Sequence, residues 1–123
     1  MKMSWEKLCA LAAEELQATL DELPAALAER AAPLPVTFEP CPNAGLQSEG
    51  IAPDTLGLFT GAEFVDEGSA PLPPQIILFL ENLWELAAGD EAVYGEEVHT
   101  TFLHELGHYF GLDEDDLIQR GLE

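Results

Sequence analysis

The segment His104-Glu105-Leu106-Gly107-His108 carries the side chains best suited to chemistry. Residues four apart on a helix share a face, so both imidazoles can meet one ion. Glu105 is turned about 100° from His104 around the helix. It can reach a water activated by that ion without itself being a ligand. Two imidazoles, an open coordination position and a carboxylate base are the parts of a zinc hydrolase. The bland alternative is two surface histidines with a solvated glutamate between them. Two features weigh against it. The chain has three histidines, and two of them occupy this spacing. The motif also runs on through Tyr109-Phe110-Gly111-Leu112-Asp113-Glu114, with a turn glycine three residues after His108 and carboxylates just beyond.

A third ligand must come from that turn or from upstream, because only 15 residues follow His108. In an extended signature H-E-x-x-H-x-x-G-x-x-ligand, the chain turns at the glycine and the ligand falls six residues after the second histidine. That position is Glu114. Asp113 has a competing role as N-cap of a short final helix, Glu114 to Arg120, closed by Gly121. Asp115 and Asp116 have another, as first-turn carboxylates facing the helix dipole. The expected ligands are His104, His108 and Glu114, with Asp113 and Asp115 as alternatives, holding one Zn²⁺ per chain. Manganese, iron and nickel also suit a His₂-carboxylate set. His99 lies about 140° around the helix from His104 and cannot join the pair on one ion. It reads as a packing or surface histidine. Thr100 and Thr101, one turn before His104, are candidates for outer contacts to the site.

These residues need a scaffold. The spacing of Val98, Phe102, Leu103, Leu106 and Phe110 predicts a helix over Tyr94 to Phe110, and Gly111 is a good stop for it. A first helix is expected from Trp5, Leu8, Ala12, Leu16, Leu20, Leu23 and Leu27, capped by Ser4 and broken near Pro24, with a short second helix over Ala25 to Arg30. Val36 to Glu39 alternates as a half-buried strand does. Residues 42–55 read as a loop, Leu56 to Gly61 as a short strand, and Ala62 to Pro74 as another loop. Gln75 to Leu80 is the clearest strand, able to sit in the core or at a sheet edge. Glu81 to Leu86 either ends that strand or begins a helical turn.

The 123 residues suit one domain, 1–123, and 47% hydrophobic content supplies a core. The net charge of −20, from 24 acidic and four basic residues, argues against grip on phosphate backbones or anionic lipid. No apolar run approaches the roughly 18–20 residues of a membrane helix, and the N-terminal stretch has no apolar signal-peptide core. The expected compartment is the cytoplasm, and Cys9 and Cys41 are expected to be free thiols.

The chain resembles the small bacterial zincin-like metallopeptidases over most of its length. The landmarks are Leu20-Asp21-Glu22-Leu23-Pro24, Leu56 to Gly61, Leu72-Pro73 before Ile76 to Phe79, and above all Glu97 to Leu112 around the motif. The resemblance implies an α+β fold: a minimal zincin-like domain with an N-terminal helix, a small three- to four-stranded sheet packed on the motif helix, and a short C-terminal helix. Where the family usually carries Ser-Asp, this chain has Asp113-Glu114, so its ligand position is one methylene longer. The expected function is hydrolysis of a peptide or protein substrate, with Glu105 as general base. The alternative is a metal-stabilised binding or adaptor domain that keeps the motif without turnover. Neither nucleic acid nor membrane is an expected partner.

Overall fold

A computed structural model describes residues 3–60 and 74–111. Helix α1 (Trp5–Glu22) begins where the Ser4 side chain accepts from the Lys7 amide, and ends ahead of Pro24. Its buried stripe is Leu8, Ala12 and Thr19, flanked by half-buried Leu16 and Leu20. Trp5, expected on that stripe, is instead 38% exposed at the first turn. Helix α2 (Ala25–Ala31) follows the proline break and buries Leu27 and Ala31. The Pro35 ring sits just ahead of β1 (Val36–Glu39), where it displaces no ladder bond inside the strand.

The segment 42–55 differs from the loop reading, because residues 44–48 form α3 (Ala44–Ser48). Asn43 caps it, accepting from the Leu46 amide at 2.9 Å. A short polar stretch can thus close one helical turn on a local cap, which the glycine and proline around it obscure. The stretch beyond α3 is tied down by Asn82, whose side-chain amide donates to the Pro53 and Thr55 carbonyls.

Strands β2 (Gly57–Thr60) and β3 (Gln75–Phe79) complete a three-stranded sheet of order β1-β3-β2. β3 runs parallel to β1, with Val36 opposite Ile76, and antiparallel to β2, with Phe59 opposite Ile76. β3 is therefore the central strand, and among the described residues β1 and β2 are the outer ones. Its alternation is plain: Ile76 and Leu78 are fully buried under the helices, while Ile77 on the other face is half-buried. The strand stops one residue earlier than its apolar run suggests. Leu80 opens α4 (Leu80–Leu86), which buries Leu80 and Leu83, each contributing about 1.5–3 kcal/mol through removal from water.

Helix α5 (Glu91–Tyr109) lies against both α1 and the sheet. Its buried face holds Val98, Phe102, Leu103 and Leu106 as the periodicity requires, with Phe110 half-buried at the end. Tyr94 anchors the start of α5. Its hydroxyl donates to the Leu8 carbonyl at 2.9 Å, and its ring stands edge-on to Trp84 at 5.5 Å. Cys9 and Cys41 are free thiols. No helix among the described residues is long and apolar enough to cross a membrane.

Candidate metal centre

The site rides on the last two turns of α5, and local sequence fixes both ends of that helix. Gly89, at φ +80°, reverses the chain after α4. Asp90 then accepts from the Val93 amide at 3.1 Å and starts α5. At the far end Gly111 adopts φ +74° and returns its amide to the His108 carbonyl at 3.0 Å. The helix thus closes immediately past the second histidine, and the chain turns there as the glycine predicts.

His104 is half-buried and His108 is exposed at the helix end. Their Nε2 atoms lie 3.2 Å apart. The rings meet edge to face, at 85° with centroids 4.7 Å apart. Two nitrogens bound to one tetrahedral ion at the usual zinc–nitrogen length stand about 3.3 Å apart. The imidazole pair therefore already has the separation of a shared ion. One ligand atom from each of His104, Glu105 and His108 falls within 4.8 Å of the others. The two imidazoles suit zinc as ligands, with the Glu105 carboxylate beside them to act on a bound water.

Glu105 points inward from the pair, with 8% of its surface exposed. Burial raises its carboxyl above the ordinary carboxylate range, because an apolar surrounding disfavours the anion. Positive charge on His104 and the donating backbone amide of Phe59 in β2 oppose that rise. Burial and the amide donor thus pull the proton affinity of Glu105 in opposite directions, with burial the larger influence. The Phe59 amide was invisible to residue-type reasoning, because main-chain donors carry no side-chain signature.

The remaining expectations sort by place. Thr101 is buried on the face of α5 that meets the sheet, whereas Thr100 is exposed beside α1. His99 is separated from the pair, as the helical angle demands, and bonds Thr19 of α1 instead. Tyr94 is a packing residue more than three turns from His108. Tyr109 is buried against Phe59, with ring centroids 5.9 Å apart. Glu114, Asp113, Asp115 and Asp116, with the short final helix, lie outside the described residues.

The family described as zincin-like metallopeptidase matches residues 32–122, which is most of the chain and includes the motif. No curated protein matches the sequence.

Proposed function

We propose that this chain, which belongs to the zincin-like metallopeptidase family, hydrolyses peptide bonds with one zinc ion held by His104, His108 and an acidic residue past Gly111. Glu114 is the favoured third ligand, ahead of Asp113 and Asp115. When bound, zinc supplies a Lewis acid that acidifies water and polarises a substrate carbonyl.

The protein side chains do the rest. His104 and His108 would hold the ion, their Nε2 atoms already 3.2 Å apart. Glu105 takes a proton from the attacking water and delivers it to the leaving amine as the C–N bond breaks. Its burial raises its affinity for that proton during transfer, and the Phe59 amide steadies the anion before and after. Among the described residues β2 is the edge strand beside Glu105, and an extended substrate would add there through the main-chain groups that Glu105 does not take. The central position of β3 removes it as that edge.

One observation carries this reading: a carboxylate, buried yet supplied with an amide donor, clustered within 4.8 Å of a convergent imidazole pair. The test is elemental analysis of protein purified without added metal, then peptide-library cleavage with and without chelator. Glu105→Gln should abolish cleavage while keeping the metal. A chain whose biological function survives that substitution with metal bound is the binding or adaptor domain instead.

A further inference from the structure

Gly57 occupies a place on β2 where no side chain fits. A Cβ there would lie 2.7 Å from Thr101 Cγ2, 3.3 Å from Leu78 Cδ2 and 3.4 Å from Glu105 Cγ. Its φ is not in the left-handed region. The glycine is required for room alone, which is the usual meaning of a glycine within a strand facing another element. It lets α5 seat flush on the strand, with Thr101 and Glu105, one turn apart, both against its bare Cα.

Two residues further along is Phe59. The Phe79 amide donates to the Leu56 carbonyl at 3.0 Å, and the register pairs Gly57 with Leu78 and Phe59 with Ile76. In an antiparallel ladder the paired and unpaired positions alternate. Leu58 and Thr60 therefore bond to β3, while the main-chain groups of Gly57 and Phe59 face away from it. The Phe59 amide spends itself on the Glu105 carboxylate.

We propose that Gly57 and the Phe59 amide form a single seat on β2 that positions Glu105, the bare Cα fixing its Cγ and the amide fixing its carboxylate. The proposal rests on the reading of Glu105 as the general base. β2 is four residues long, so packing against α5 sets its position. A methyl group at position 57, 2.7 Å from Thr101 Cγ2, cannot be seated unless strand and helix part, and that movement carries the Phe59 amide away from the carboxylate. Gly57 is thus a positioning residue, acting through Glu105 and touching no reacting atom.

The test combines amide hydrogen exchange at Phe59, zinc affinity, and kcat and KM on a cleaved peptide. Glu105→Ala should speed Phe59 exchange by about tenfold or more, whereas Glu105→Gln, which keeps an acceptor oxygen, should leave it within about threefold. Gly57→Ala should speed that exchange similarly and lower kcat by about tenfold, with KM and zinc affinity within about twofold. Adding Thr101→Ser removes the Cγ2 methyl that the new Cβ meets, and should restore both exchange and kcat. If Gly57→Ala alone does not fold, the double variant decides, because its Phe59 amide must be as protected as in the original chain. Unchanged Phe59 exchange in Glu105→Ala overturns the proposal. So does a folded Gly57→Ala chain that exchanges normally or that Thr101→Ser does not restore. A wild-type chain that cleaves no peptide defeats the peptidase reading alone, and the exchange measurements still decide the seat.

Discussion

His99 donates from Nδ1 to Thr19 Oγ1 over 2.7 Å, because Thr19 gives its single hydroxyl proton to the Glu15 carbonyl, also 2.7 Å away. Thr19 is buried, and the bond ties α5 to α1 on a face separate from the imidazole pair. It borders a groove of about 440 Å³ lined by Glu15, Ala18, Glu22, Glu96, His99 and Thr100. The third histidine is thus tied to α1, apart from the imidazole pair.

That division gives the first prediction. His104→Ala and His108→Ala should each abolish stoichiometric zinc binding, read by elemental analysis after dialysis. His99→Ala should keep the metal and lose about 1 kcal/mol of stability through the broken hydrogen bond. Tight binding of about one ion per chain in the His104/His108 double variant would falsify the site.

The second prediction addresses the ligand past Gly111. Glu114→Ala should weaken zinc binding by about an order of magnitude or more. Asp113→Ala should leave affinity intact and cost about 1 kcal/mol by removing a helix cap. Calorimetric titration and denaturant melts on both variants separate the roles. The reverse pattern moves the ligand to Asp113.

A third prediction concerns alkali. Burial pushes the Tyr94 phenol well above its ordinary value, so the folded chain binds that proton more tightly than the unfolded chain. The stability it contributes is complete below the unfolded value of about 10 and is lost as pH rises beyond it. Denaturation midpoints should therefore fall between about pH 9.5 and 11. Tyr94→Phe should flatten that fall, while costing about 1 kcal/mol at neutral pH for the lost bond to Leu8. An equally steep fall in the variant would assign the effect to other groups.

Much of this architecture could be read from residue order, and the exceptions share a cause. The motif helix, its glycine stop, the Ser4 cap and the Pro24 break are local, encoded within one or two turns. The placement of β3 is not. Gln75 to Phe79 is apolar whether central or at an edge, and only its pairing with both β1 and β2 decides. The α3 turn hid behind Gly45 and Pro42, whose types argue for loop while Asn43 argues for a cap. At the site, the histidines and Glu105 were legible as side chains four and one apart. The Phe59 amide and the clearance at Gly57 were not, because they exist only once β2 lies on α5.

The fourth prediction tests a second close approach. Gly95 lies inside α5, and a Cβ there would meet the Glu15 carboxylate, with Oε2 at 3.0 Å and Cδ at 3.3 Å. Those atoms are the far end of a flexible side chain next to an open groove. Gly95→Ala should stabilise the fold by about 0.5–1 kcal/mol through helix propensity, as Glu15 swings aside. A loss of stability in a thermal melt would show that Glu15 is held more firmly than its position implies.

The last prediction follows from the net charge of −20. Self-repulsion should make the metal-free protein more stable in moderate salt than at low ionic strength. Urea midpoints measured from about 10 to 150 mM sodium chloride, over which the screening length shrinks from about 30 to 8 Å, should rise. A flat series would mean the charges are spaced widely enough to ignore one another.

The bond from Tyr94 to Leu8 spans 86 positions of sequence, and this sets a schedule for synthesis. At about 5–20 residues added per second, α1 emerges some 4–17 s before the tyrosine that anchors it. Throughout that interval the stripe of Leu8, Ala12 and Leu16 faces water with no α5 to cover it. Beside that stripe the segment carries Glu6, Glu14, Glu15 and Glu22, so like charge accompanies the apolar surface during that interval. The apolar stripe and the acidic residues of α1 therefore reach water together, well before the contact that buries the one and leaves the other exposed.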